Sequence, residues 1–225
     1  MIDTVFSLPA NFHVLIVDDG SPDGTAKLVK EQQEKYPQAL FLLERAGKQG
    51  LGTAYITGFR WGLERSYNYF FEMDCDFSHS PQDLIRLLEA CKDGGADIAV
   101  GSRYVRGGQL ENWPWDRVFL SYGASLYVRI ITRMPVKDPT AGFICYSRRV
   151  LESIDLDKIT FKGYAFQIQM KFASYRLGFK IKEVPITFTD RVEGTSKMSK
   201  NIVSEAIWGV ILMKWRSFFN SYQSL

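Results

Sequence analysis

The sequence predicts a doubly wound α/β domain with a mostly parallel sheet, and three observations carry that prediction. Apolar runs of strand length alternate four times with segments of helical periodicity. Two of those runs close on paired acidic residues, Asp18-Asp19 and Asp74-Cys75-Asp76, and a Ser-Pro helix-start signal follows each pair. The 225 residues, 46% hydrophobic and 24% charged, suffice for one large core and are too ordinary in composition for disorder.

Taken in order, Phe12 to Val17 reads as a strand running into Asp18-Asp19-Gly20-Ser21-Pro22. There Ser21 is the expected cap and Pro22 the first helical residue of a helix that ends at Tyr36, before Pro37. Ala39 to Glu44 is a second strand. The basic, glycine-rich turn Arg45 to Gly52 leads from it into a helix over Thr53 to Arg65. Tyr67 to Met73 is an aromatic-rich buried strand; Ser80, Pro81 and Asp83 then open a helix that runs to Lys92. Ala96 to Gly101 completes the alternation, and residues 107–115 form a loop long enough to be functional. Arg117 to Arg133 is helical, with Arg117, Ser121, Ser125 and Arg129 on one polar stripe. Short strands over Ile144 to Ser147 and Lys180 to Thr187 flank a helix over Gly163 to Leu177. A charged loop holding Arg191 and Lys197 precedes an amphipathic helix over Asn201 to Phe219. The expected organisation is one domain over 1–199 and a C-terminal helix within 200–225.

A net charge of +3 gives no reason to expect nucleic-acid binding. Three widely spaced cysteines, Cys75, Cys91 and Cys145, fit neither a disulfide framework nor a zinc site and suit a reduced, cytoplasmic compartment. Met1 to Thr4 shows no signal-peptide pattern, and the apolar run Ala206 to Met213 is far short of the roughly 20 residues that span a bilayer. Any membrane contact is therefore expected to be peripheral.

Carboxylates at the carboxyl end of a strand lie where open α/β sheets bind ligands. Asp74 and Asp76 offer hard oxygen donors suited to Mg²⁺ or Mn²⁺, ions that complete their shells with water and substrate phosphates, so a diphosphate is the expected ligand. Lys48, in the glycine-rich turn, could meet phosphate oxygens or simply be solvated. The terminal helix could pack on the sheet or meet lipid headgroups through Trp208, Lys214, Trp215 and Arg216.

Val17 to Thr25, Gly50 to Tyr55, Met73 to His79, Gly101 to Tyr104 and Asp138 to Phe143 together resemble, in order, the motifs of the dolichol-phosphate (polyprenol-phosphate) mannosyltransferases. These are inverting glycosyltransferases of the GT-A fold, and the resemblance covers nearly the whole chain. It implies transfer of mannose from GDP-mannose to the phosphate of a membrane polyprenol or dolichol, at the cytoplasmic face of a membrane and with a membrane-anchored partner subunit conceivable. By the same resemblance Asp74 and Asp76 hold the metal, Asp18 and Asp19 lie near the nucleoside, and Arg103 steadies the leaving diphosphate. Arg117 and Ser121 receive the acceptor phosphate together with Arg191 and Lys197.

A phosphate monoester is already an anionic nucleophile, so this chemistry needs cationic positioning and no side-chain base; His79 is accordingly expected to be structural. Two departures stand out. The family's first strand, ending in a Pro-Thr-Tyr-Asn-Glu-like motif, is not represented, and Ser78 stands where some relatives carry a glutamine in the metal turn. Transfer of glucose or another sugar, or binding without turnover, are the alternatives left open.

Overall fold

The computed structural model describes residues 1–190 and 200–224, and for 200–206 the backbone alone. The chain runs through α1 (Ile2–Phe6), β1 (Val14–Asp18), α2 (Thr25–Lys35), β2 (Leu40–Glu44), α3 (Leu51–Leu63), β3 (Tyr69–Glu72), α4 (Asp83–Lys92) and β4 (Ile98–Ser102). It continues through β5 (Gln109–Glu111), α5 (Trp115–Thr132), β6 (Ile144–Ser147), α6 (Arg148–Ser153), α7 (Ala165–Arg176), β7 (Ile181–Pro185), β8 (Thr187–Thr189) and α8 (Lys200–Arg216).

The central sheet has the order β3-β6-β4-β7. Parallel pairing holds for β1 with β2, β4 with β7 and β5 with β8. Strand β6 is the exception, lying antiparallel between β3 and β4. β1 and β2 form a separate two-stranded sheet. Val14, Leu15, Ile16 and Val17 are accordingly half-buried, whereas every residue of β4 is buried.

Period-two alternation divides the core between the two faces of this sheet. Ala99 and Cys145, paired across β4 and β6, face Leu84, Leu87, Ala90 and Cys91 of α4. Ile98, Val100, Ile144 and Tyr146 face the other way, into a cluster with Val150 and Leu151 of α6 and Phe166, Met170 and Phe172 of α7.

Two helix starts differ from expectation. The Asp18 carboxylate accepts the N–H groups of Gly20 and Ser21, so Ser21 and Pro22 stay in a turn. Gly24, at a left-handed φ of +83°, then precedes Thr25, whose N–H and hydroxyl donate to Asp23. Ser80 and Pro81 likewise form a turn before α4, with Asp83 N–H donating to the Ser80 carbonyl.

The last helix packs on the domain. Val210 and Met213 are buried in the core, Tyr127 of α5 donates to the Ile207 carbonyl, and the tail returns so that Asp155 N–H donates to Tyr222 O. The domain boundary expected at 199 falls at the edge of the stretch 191–199, which lies outside the described residues.

Candidate active site

The acidic turn follows β3 directly. Asp74 and Asp76 are half-buried, and Asp76 Oδ1 accepts the Ser78 N–H at 3.0 Å and the Ser78 hydroxyl at 2.5 Å. Ser78 is thus tied to the second aspartate. Phe77 between them has a φ of 60°, a left-handed conformation that a bulky residue rarely adopts, and its ring is exposed. No group of three or more His, Cys, Asp or Glu gathers as a metal cage among the described residues. Two carboxylates without a protein cage fit an ion that takes its remaining oxygens from water and a bound diphosphate.

His79 is buried between Phe143 at 4.9 Å and Phe188 at 5.1 Å. Burial drives its pKa down to about 4, so near pH 7 it is a neutral imidazole of low basicity, enclosed by the two rings.

Arg103 follows β4 and is held rather than free. Its Nε and Nη2 donate to the two oxygens of Asp138, each at 2.7 Å; its backbone N–H donates to Asp138 Oδ2, and Nη2 also reaches Thr140 Oγ1 at 2.8 Å. Asp138 has no exposure. Burial pushes its pKa upward, but the Arg103 charge and hydrogen bonds outweigh that and hold it below the usual carboxylate range. The guanidinium lies 5.2 to 5.9 Å from the centroids of Tyr104, Phe188 and Trp113.

Helix α5 turns its polar stripe toward this cluster. Arg117 Nη1 donates to both oxygens of Asp190 at 2.8 Å and its guanidinium stacks 3.9 Å from the Trp113 centroid. Ser121 Oγ accepts from the Tyr104 hydroxyl at 2.7 Å, and the buried Ser125 hydroxyl lies 3.3 Å from Thr140 Oγ1. Arg103, Arg117 and Ser121 are therefore joined through the 138–140 turn, Tyr104 and Trp113. Arg191 and Lys197 lie outside the described residues.

Asp18 is buried at the end of β1, and the Ser21 hydroxyl together with the backbone N–H groups of Ser21 and Gly20 holds its carboxyl below the usual range. Asp19 is paired with Arg45, whose Nε and Nη2 reach its two oxygens at 2.6 and 2.8 Å while Nη1 donates to Thr53 Oγ1. The sequence reading missed this partner. Asp18 stands opposite Glu44 in the parallel register, so the next residues on each strand, Asp19 and Arg45, are adjacent: a basic residue one past a neighbouring strand end was the available signal.

Lys48 is exposed, and Gly50 and Gly52 after it answer to packing. A Cβ on Gly52 would lie 2.5 Å from the Phe161 carbonyl oxygen, where Gly52 N–H donates to Lys162 O. Also unforeseen are two fully buried groups, Glu72 and Lys171, each pushed by burial toward its neutral form against the pull of the other's charge.

A mostly parallel α/β sheet with an acidic turn after its edge strand β3 and a largely buried arginine after the inner strand β4 is an arrangement of the GT-A type. The chain belongs to glycosyl transferase family 2, whose family model matches residues 1–155. It is 49% identical over 203 residues to the polyprenol monophosphomannose synthase of Mycolicibacterium smegmatis, covering 88% of this chain and 76% of that protein. It is 50% identical over 202 residues to the undecaprenyl-phosphate mannosyltransferase of Micrococcus luteus, covering 88% and 82%. Among solved structures, glucosyl-3-phosphoglycerate synthase of Mycobacterium tuberculosis, crystallised with Mn²⁺ and UDP, shares the fold at a TM-score of 0.61 and 16% identity, over 90% of this chain and 68% of that one.

Proposed function

We propose that this enzyme transfers mannose from GDP-mannose to the phosphate of a membrane polyprenol, with inversion at the anomeric carbon. The observation that carries this is half-identity, over 88% of the chain, to two enzymes named for mannosylating polyprenyl phosphates. The site agrees chemically. The acceptor phosphate oxygen forms the new bond to the anomeric carbon as the bond to the diphosphate breaks, and GDP departs. An ionised phosphate needs no proton removed, and His79, buried and weakly basic, is not called on as a base.

Asp74 and Asp76 would hold the divalent ion, Mg²⁺ or Mn²⁺, whose charge stabilises the diphosphate. Asp18, Asp19 and Lys48 serve the nucleotide side and Arg103 the leaving group. Arg117 and Ser121 serve the acceptor phosphate, with Arg191 and Lys197 assigned there by resemblance. Asp138 and Asp190 hold the two arginines in fixed orientations before any anion arrives, so less ordering remains for binding. Incubation with labelled GDP-mannose, a short polyprenyl phosphate and Mg²⁺ should give a mannosyl-phosphoryl lipid. Product from UDP-glucose alone would reassign the sugar, and nucleotide binding without either product would leave a binding protein.

Among the described residues no helix is long and apolar enough to cross a membrane. Helices α5 and α8 pack together and expose large apolar side chains, among them Trp115, Phe119 and Ile130 on the first and Trp208 and Trp215 on the second, with Phe218 exposed in the turn that follows. This surface supports peripheral docking on the cytoplasmic membrane face, where the lipid acceptor resides, alone or with a membrane-anchored partner. Replacing Trp215 and Phe218 by serine should reduce co-sedimentation with anionic liposomes while the melting temperature stays close to that of the parent. Undiminished co-sedimentation would remove the end of α8 and the turn after it from the contact.

A further inference from the structure

Helix α7 is buried on all sides from Ala165 to Ser174, and among its polar side chains is a lysine with no exposure. Lys171 Nζ donates to the Ala141 carbonyl at 2.6 Å and to the Gln167 carbonyl at 3.0 Å. A methionine of similar length would fill this space without the desolvation cost of an ammonium group, so packing alone does not call for lysine. Lysine adds a donor to the backbone of the 138–141 turn.

That turn carries Asp138, the partner of Arg103, and it is pinned from two elements. Glu183 on β7 accepts the N–H of Asp138 at 2.9 Å, the N–H of Lys137 at 2.8 Å and the Ser102 hydroxyl at 2.8 Å. Lys171 holds the other side at Ala141, which is itself buried. The ammonium also feels the charge of Glu72, the last residue of β3, whose buried carboxyl lies beside the Tyr146 hydroxyl and the Gln167 side chain. Lys171 is thus placed between the strand that delivers the acidic turn and the turn that orients Arg103.

We propose that Lys171 is a positioning residue: its bond to the Ala141 carbonyl fixes the Asp138 turn, and through Asp138 the Arg103 guanidinium, against the acidic end of β3. The catalytic consequence rests on the assignment of Arg103 to the diphosphate leaving group. The structural consequence does not.

The test compares Lys171→Met with the double variant Glu72→Gln/Lys171→Met, in assays of lipid mannosylation and of amide hydrogen exchange. The single variant should lose about a hundredfold in kcat, the scale of a small misplacement of a reacting group, with KM for the nucleotide sugar changed far less. Exchange at the amides of Arg103, Lys137 and Asp138 should quicken relative to those of β4 and β6, which a global loss of stability would not do selectively. The double variant, no longer burying an acidic group that has lost its ammonium partner, should regain most of the melting temperature and neither the kcat nor the local protection. Wild-type kcat and protection in the single variant would overturn the proposal. So would recovery of both in the double, which would reduce Lys171 to a charge balance for Glu72. Should the wild-type chain transfer no mannose, the exchange measurement still decides the role of Lys171, and the failure falls on the proposed reaction.

Discussion

Asp76→Asn is expected to lower mannosyl transfer about a thousandfold, corresponding to about 4 kcal/mol of lost stabilisation of the departing diphosphate, while the fold is retained. The choice of asparagine follows from the geometry. Asp76 Oδ1 accepts both the N–H and the hydroxyl of Ser78, and Ser78 is only 1% exposed. Alanine would leave those donors buried without an acceptor, adding roughly 1–3 kcal/mol of instability to any catalytic loss. Asparagine keeps an acceptor oxygen and removes the charge that a hard cation requires. Steady-state assays across Mg²⁺ and Mn²⁺ concentrations, with thermal melts alongside, measure the effect. An Asp76→Asn enzyme with parental activity would end the assignment of this turn to the metal.

Asp138→Asn is the second large effect, and it strikes stability and chemistry together. The pair it breaks is almost wholly inside the protein, with side-chain exposures of 10% for Arg103 and 0% for Asp138. Removing one charge strands the other, at a cost of roughly 3–5 kcal/mol for a buried pair. In a chain of this length each kcal/mol shifts the melting temperature by about 2–4 °C, so a fall of about 10 °C is expected. Activity below the new melting temperature should also drop, because Arg103 loses the two-point bond that fixes its orientation. An unchanged melting temperature would mean that the pair adds nothing net to the fold.

The acidic turns show how far local sequence carries. Asp74 and Asp76 were identifiable because an apolar run ended on them, and the structure puts them directly after β3. Their helix signals were read two or three residues early, because the backbone donors expected to start helices are taken in turns, by Asp18 in one case and by the Ser80 carbonyl in the other. The polar stripe of α5 was also legible from four-residue spacing. Its partners were not, since Tyr104, Thr140 and Asp190 come from three separate loops.

The sequence by itself determined the alternation of strands and helices, the placing of carboxylates at strand ends and the order of the family's motifs. Each is written in short-range periodicity or in adjacent residues. Only the tertiary structure decided that β6 enters antiparallel between β3 and β4, that Asp19 belongs to Arg45, Arg103 to Asp138 and Lys171 to the Ala141 carbonyl. Those last three contacts join residues 26, 35 and 30 positions apart. A pairing at such separations leaves no period in the chain: it is selected when desolvation inside a packed core makes an unpartnered charge too costly to keep.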